Sequence, residues 1–427
     1  MSSDAIFLIS TGLIIVSLLV VLFSKYSYLL EGQINGRLAL LIDIGNGTIT
    51  SGLVLFGKNN LPRFLYGMNT PFVVKDKVSA AELFSSMKTV LDSVVATTIK
   101  QVSNNQPLKN RNIENTLISF SSPWFITKTK DVHISEEKPF LVDGSFLGNI
   151  SKKEEELFKQ ELSAEVDGNK KNSFSVIEKN IIHTKINGYS VDRSLGQKTK
   201  DFNASVFLSA IDKDVVEKVI DIISNHTHIS REKILIHTFP LILFSTIRDN
   251  FSPEPDFILM DITSEVTDIT LVTDDVVTKT GSFPFGRNFI LRQIAKTFNC
   301  SETVAESMLH IYMDGSVNNQ NYLPMQNLVG GLEKEWAIYF EDVLSTLSPD
   351  MALPKNIYIT ADSDVTPIFV DFLKLPKVDA TANFRKNLNI ININKEVLSR
   401  FYESDSKKQE DVFITLLLIF YNKLLFL

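Results

Sequence analysis

One signature occurs twice in this chain, and any fold it adopts must accommodate both copies. Leu38 to Gly57 reads Leu-Ala-Leu-Leu-Ile-Asp-Ile-Gly-Asn-Gly-Thr-Ile-Thr-Ser-Gly-Leu-Val-Leu-Phe-Gly: an apolar run ends in Asp43, a Gly-Asn-Gly turn follows, and a second apolar run begins near Ile49. Asp256 to Thr273 repeats the plan as Asp-Phe-Ile-Leu-Met-Asp-Ile-Thr-Ser-Glu-Val-Thr-Asp-Ile-Thr-Leu-Val-Thr, with its acid at Asp261. Apolar runs of this length around a short polar turn predict β-hairpins. The tip at Asp43 sets backbone N–H groups beside a strand-end carboxylate, so it can hold a phosphate while the acid orients a magnesium ion through water. Most Gly-Asn-Gly tips are only turns. The second copy changes the weight, because two copies far apart imply a duplicated domain with a cleft between them.

These paired hairpins resemble the superfamily of actin, heat-shock chaperone ATPases and sugar kinases, whose two phosphate loops face each other across such a cleft. Within it, the chain is similar to the branch of bacterial cell-division FtsA and pilus-assembly PilM proteins, from about Leu38 to the C-terminus. The resemblance implies an α/β fold: a duplicated RNase H-like (actin-like ATPase) fold with an inserted α+β, SHS2-like subdomain. Four regions are expected. Residues 1–37 are an N-terminal transmembrane anchor and tether, 38–109 with 231–255 the first half, 110–230 the insert, and 256–427 the second half. Strand patterns at Arg63–Met68 and a helical spacing of apolar residues over Val78–Val102 fit the start of an RNase H-like half. Inside the insert, Val176-Ile177-Glu178-Lys179 and Asn187-Gly188-Tyr189, followed by Gly196-Gln197-Lys198, match the family's subdomain; read alone, Asn187-Gly188 is a turn between strands. Phe239–Asn250 is the helix at which the family crosses between halves, and Pro240 suits its first turn. No water-orienting Gln or Glu stands near that crossing, and Asp249 reads as a solvated terminal residue.

Ala5 to Ser24 carries no charge and is long enough to cross a hydrocarbon core of about 30 Å as a helix. A signal peptide would need a basic start and a small-residue cleavage site, and the N-terminus has only Asp4. Lys25 and Arg37 follow the segment, placing the large body on the cytoplasmic side of the inner membrane. The single cysteine, Cys300, agrees with a reducing compartment. A net charge of −7 gives no footprint for nucleic acid. Val412 to Leu427 is apolar almost all round; without a basic face and short for a span, it is expected to be a terminal core helix that closes the second half, rather than a membrane contact.

The resemblance makes Asp43, Gly45, Asn46, Gly47 and Thr48 the first phosphate loop, and Asp261, Thr263, Ser264 and Thr267 belong to the second, followed by Gly286 before a helix. Asp43 and Asp261 are the candidates for a catalytic role or for magnesium, should nucleotide bind. The family's second loop reads Asp-Ile-Gly-Gly-Gly-Thr-Thr-Asp, whereas here Thr263-Ser264-Glu265-Val266 stand between Asp261-Ile262 and Thr267-Asp268, so both acids remain and every glycine is gone. Ala361-Asp362 replaces the Gly-Gly against which adenosine packs. The nucleoside-contacting Glu-x-x-Lys helix corresponds to Glu306-Ser307-Met308-Leu309, without its lysine. Glu265 is expected to set a carboxylate beside a polyphosphate, and two like charges about 4 Å apart cost about 4 kcal/mol at an effective dielectric of about 20. ATP with Mg is therefore implied by resemblance, with binding expected to be weak or absent.

Two function classes follow. One is a membrane-anchored scaffold of the FtsA/PilM kind, binding a peptide tail of the division or pilus machinery and self-associating through the insert. The alternative is an active ATP-binding actin-like ATPase or a small-molecule kinase of the same superfamily.

Overall fold

The computed structural model describes residues 36–58, 61–72, 79–104, 108, 111–165, 173–251, 254–315, 319–348, 353–374, 388–404 and 410–426. Both hairpins form. β1 (Arg37–Ile44) and β2 (Thr48–Phe56) pair antiparallel, and β3 (Arg63–Pro71) joins β2, while β4 (Asn115–Phe120) and β9 (Ile234–Thr238) run parallel on the other side of β1. The second copy builds β10 (Phe257–Ile262), β11 (Thr267–Thr273) and β12 (Val276–Phe283), with β13 (Asn356–Ala361) and β14 (Asn389–Asn392) parallel beside β10. The two sheets thus share one order, β3-β2-β1-β4-β9 and β12-β11-β10-β13-β14. This is the duplication that the repeated signature implies.

Side chains alternate along β1, as a strand buried on both faces requires. Leu38, Leu40 and Ile42 meet α1 (Ala80–Asn104) and α3 (Lys213–Thr227) through Met87, Leu91, Val94, Val219 and Ile223. Ala39 and Leu41 point the other way, onto α4 (Phe239–Asn250) and α10 (Val412–Phe426). The same cluster takes in Leu259, Val272 and Tyr358 of the second sheet, so α4 and α10 lie between the sheets. The outer face of the second sheet is covered by α5 (Arg287–Phe298), α6 (Glu302–Met313), α7 (Asn319–Leu347) and α8 (Thr366–Lys374), with Trp336 fully buried among them. A short helix, α9 (Lys395–Leu398), precedes the return to the first half.

The insert is a separate sheet of β5 (Phe125–Leu141), β6 (Phe174–Ile186), β7 (Tyr189–Ser190) and β8 (Lys198–Asp212), ordered β5-β8-β6-β7, with α2 (Gly144–Glu165) on its own small core. Asn187 and Gly188, at φ of 50° and 84°, make the two-residue turn joining β6 to β7, a conformation that favours this pair. Glu178 fixes the insert to the first half. It is buried, and its carboxylate accepts from Ser209 Oγ, from the Thr238 backbone N–H (3.0 Å), from Thr238 Oγ1 (2.7 Å) and from His237 Nδ1 (3.0 Å), at the start of α4.

The structure redraws three expectations. First, the insert does not begin at residue 110: β4 is a strand of the first sheet, because Leu117 and Ile118 bury on its two faces beside β1, and α3 packs on α1. Second, the second half does not run to the C-terminus. β15 (Glu403–Ser404) pairs with β3, and α10 packs under β1 and β2, where Phe56 meets Tyr421 edge-on at 5.1 Å. Val412–Phe426 is core, as expected, but it is core of both halves. Third, Asp249 is not merely solvated; it binds Lys423 and so ties α4 to α10. Ala5–Ser24 lies outside the described residues, and no helix among the described residues is long and apolar enough to cross a membrane.

Leu417, fully buried between the sheets, provides the test of this layering. Leu417→Ala is expected to lower unfolding free energy by about 2–5 kcal/mol, read as a shift in the denaturant midpoint.

Candidate functional site

The duplicated hairpins bring their tips together at the carboxyl ends of the parallel strands, and each tip solves the same problem in the same way. Asp43 sits opposite Ser119 of β4 in the parallel register, and the Ser119 hydroxyl donates to its carboxylate at 2.5 Å. Asp261 sits opposite Thr360 of β13, whose hydroxyl donates at 2.9 Å. A buried acid needs a donor, and a small hydroxyl residue one strand away supplies it in both halves.

The space between the tips is bridged by the loops themselves. Asn46 Nδ2 donates to Thr263 Oγ1 at 2.7 Å and to the Ser122 carbonyl at 3.0 Å, while Asn46 Oδ1 accepts from the Glu265 N–H at 2.9 Å. Gly45 has both backbone groups engaged, its N–H with the Thr48 carbonyl (3.0 Å) and its carbonyl with Trp124 Nε1 (2.8 Å). Gly47 lies so close to the opposite loop that a Cβ there would stand 2.6 Å from Ser264 Cβ. Ser122 also reaches across, donating to Asp268 at 2.7 Å.

Behind the second loop, Gly286 is the N-cap of α5, and a Cβ on it would stand 2.4 Å from the Thr263 carbonyl oxygen. The following amides, Arg287 N–H and Asn288 N–H, donate to the Thr263 and Ser264 carbonyls at 3.1 and 2.7 Å. The helix terminus, which could otherwise attract an anion, is spent on the loop. Glu265 does not point between the tips as its sequence position suggests. It turns onto α5, where Arg292 holds it with two bonds of 2.9 and 2.8 Å and Asn288 adds a third at 2.9 Å. The bidentate ion pair removes the repulsion expected from that carboxylate.

Arg287 stands between the two segments that the resemblance gives to the nucleoside. Its guanidinium contacts Asp364 (2.7 Å), Glu306 (2.5 Å) and Asp362 (3.8 Å), joining Glu306 on α6 to the Asp362 turn. Asp362 therefore has a compensating charge.

The acids of this region are electrostatically linked. Burial pushes the Asp43 carboxyl up to about 7, opposed by Ser119 and assisted by Asp411. Burial also drives Asp261 well above the usual carboxylate range, with Asp268 and Asp43 as negative neighbours. Burial holds Asp268 at about 7 despite the Ser122 hydroxyl. Among the described residues, no cluster of three or more His, Cys, Asp or Glu side chains converges to hold a metal ion.

Every residue that the resemblance assigns to nucleotide or magnesium falls in or beside this one region: Asp43, Gly45, Asn46, Gly47 and Thr48 at one tip, and Asp261, Thr263, Ser264 and Thr267 at the other. Gly286 packs behind them, and Glu306 is reached through Arg287. The ties that sequence reasoning missed are Ser119, Ser122, Trp124, Arg287 and Arg292. Ser119 and Thr360 were legible in principle, since each ends an apolar run that must lie parallel to an acid-bearing strand. The two arginines had no signal, because each is one basic residue on a helix of mixed composition.

Two outcomes follow. An acid whose folded pKa lies above its unfolded value stabilises the fold at low pH and loses that contribution as pH rises through the folded pKa. With Asp43 and Asp268 raised from 3.8 to about 7, the denaturation midpoint is expected to fall as pH increases from about 4 to about 7. Asp268→Asn, which cannot ionise, is expected to flatten that slope in urea titrations. Separately, Arg287→Ala leaves Asp364 without its cation, while the more exposed Glu306 and Asp362 are relieved by solvent, and should cost about 1–2 kcal/mol by the same measurement.

No family model and no curated protein matches the chain. Solved structures do. A chain of the PilM–PilN type IV pilus biogenesis complex superposes with a TM-score of 0.55 at 14% identity, covering 90% of this chain and 97% of that one. The ethanolamine utilization protein EutJ from Carboxydothermus hydrogenoformans matches at 11% identity and a TM-score of 0.46, over 91% of each chain. A Bacteroides thetaiotaomicron VPI-5482 protein described as having an actin-like ATPase fold and unknown function matches at 11% identity and 0.40, over 90% of this chain and 96% of that one. With two sheets of one order, two helices between them and an inserted subdomain, superposable on a PilM–PilN chain, this protein has the actin-like ATPase fold.

Proposed function

We propose that this protein is a membrane-anchored scaffold built on an actin-like fold, with its nucleotide cleft closed by its own side chains. The observation that carries this is the Asn46 amide, which occupies both the Thr263 hydroxyl and the Glu265 N–H of the opposing loop. A phosphate loop works by aiming several free N–H groups at one anion. Here Glu265 N–H, Gly45 N–H and the first amides of α5 all have protein acceptors. Arg287 joins Glu306 to the Asp362 turn, the two segments that the resemblance assigns to the nucleoside. The residues therefore do not fit Mg-ATP without breaking an internal network. Asp43 and Asp261 keep the strand-end positions of an ATPase, which is the one observation favouring an active enzyme or kinase instead.

Ala5–Ser24 acts as the anchor in this reading, with the body on the cytoplasmic face of the inner membrane. The function is recruitment: a peptide segment of a pilus or division protein is the partner class, supported for the pilus side by the fold shared with a PilM–PilN chain.

Calorimetric titration with Mg-ATP tests the closed cleft. No saturable heat is expected up to millimolar nucleotide; micromolar binding lost in Asp43→Ala would restore the ATPase alternative. Deleting residues 1–30 is expected to move the protein from the membrane fraction to the supernatant. Crosslinking in native membranes is expected to recover a protein with a short cytoplasmic tail, and recovery of none would count against recruitment.

A further inference from the structure

The end of the first sheet opposite the cleft gathers features that neither the fold nor the closed cleft uses. β1 runs from Arg37 to the cleft acid Asp43, so Arg37, the β2–β3 connection and the start of β4 all lie at the distal end. α10 runs opposite to β1, from the cleft side toward this end. It begins beside Asp411, which accepts from Asn69 of β3 at the cleft side, and it passes Phe56 at Tyr421. At about 1.5 Å per residue, Phe426 projects about 7 Å beyond that contact. Three large apolar side chains are exposed at this one end: Leu61 at 47%, Leu424 at 39% and Phe426 at 48%. Around them stand the exposed bases Arg37, Lys58 and Arg63. Glu114 and Glu403 lie at the same end and reduce the positive surplus without cancelling it.

The chain also enters the body here. The charge-free run stops at Ser24 and β1 starts at Arg37, leaving a connection that spans at most about 40 Å even when fully extended. A bilayer holding that run is thus tethered to this end of the molecule and to no other.

We propose that the distal end of the first sheet is a membrane-apposed face, with Leu61, Leu424 and Phe426 entering the headgroup region and Arg37, Lys58 and Arg63 meeting anionic lipid. The proposal rests on Ala5–Ser24 as the anchor, and it adds an orientation: the cleft faces away from the bilayer. Exposed apolar groups rimmed by bases are what an anionic interface recognises.

The test uses the full chain with Cys300→Ser, carrying a fluorescent NBD label at Leu61→Cys, Phe426→Cys or, as control, Val304→Cys on α6 near the cleft-side Glu306, where the native side chain is 48% exposed. Each is reconstituted into phosphatidylcholine–phosphatidylglycerol vesicles containing doxyl-labelled lipid. Quenching at 61 and 426 with none at 304 is expected. Adding Lys58→Gln should lower the ratio of apposed to free face about five-fold, as one basic residue near an anionic surface contributes. Equal quenching at all three positions, or none at 61 and 426, overturns the proposal. An alkaline wash reads the anchor separately. A chain that resists washing without quenching at 61 and 426 keeps its anchor and loses the face. A chain that washes off yet was quenched at low salt keeps the face and loses the anchor. One that washes off unquenched loses both.

Discussion

A helix that is apolar on every side must be covered on every side, and α10 is the element this structure has to satisfy. Phe413 through Tyr421 are buried without interruption. One sheet can cover one stripe of a helix; two sheets facing each other, with a second apolar helix alongside, cover it completely. That requirement sets the layer order. α4 and α10 form the middle, the sheets of the two halves lie on either side, and the remaining helices close the outside. It also places the cleft, because strands that flank a shared middle layer end at a common edge.

At that edge the acids and loop amides find partners within the chain. The strand-end acids have hydroxyl donors from neighbouring strands, the loop amides have carbonyl or side-chain acceptors, and the one carboxylate that would repel a polyphosphate is held by Arg292. Of the residues standing where the family's second loop has glycines, Thr263 bonds Asn46 and Glu265 bonds Arg292 and Asn288. The missing glycines are therefore not simple losses. They are replaced by a working polar interface between the halves, at a site where an unpaired buried group would cost about 1–3 kcal/mol.

Much of this was legible from residues. The doubled Asp-Ile hairpin gave the two sheets, the period of apolar residues gave α1, and Asn187-Gly188 gave its turn, since each depends on local chemistry. What the sequence hid were pairings between distant segments. β4 reads as a strand but not as a member of the first sheet, and Glu403–Ser404 is too short a strand to announce that it pairs with β3. The direction of Glu265 was misjudged because a carboxylate in a loop says nothing about an arginine on the next helix. Arg287 was invisible for the same reason: its role exists only where Glu306, Asp362 and Asp364 converge.

The amide of Asn46 has a mechanical meaning as well. Two lobes joined through a middle layer can rock about it like a hinge, and a ligand that enters the gap converts its own presence into an angle between them. Here the gap is stitched at its mouth by Asn46 with Thr263 and Glu265, and again by Ser122 with Asp268. Opening would break several buried bonds at once. The two lobes are thus held at one angle by bonds within the chain, and under the proposed reading the body is a strut whose shape does not follow nucleotide supply.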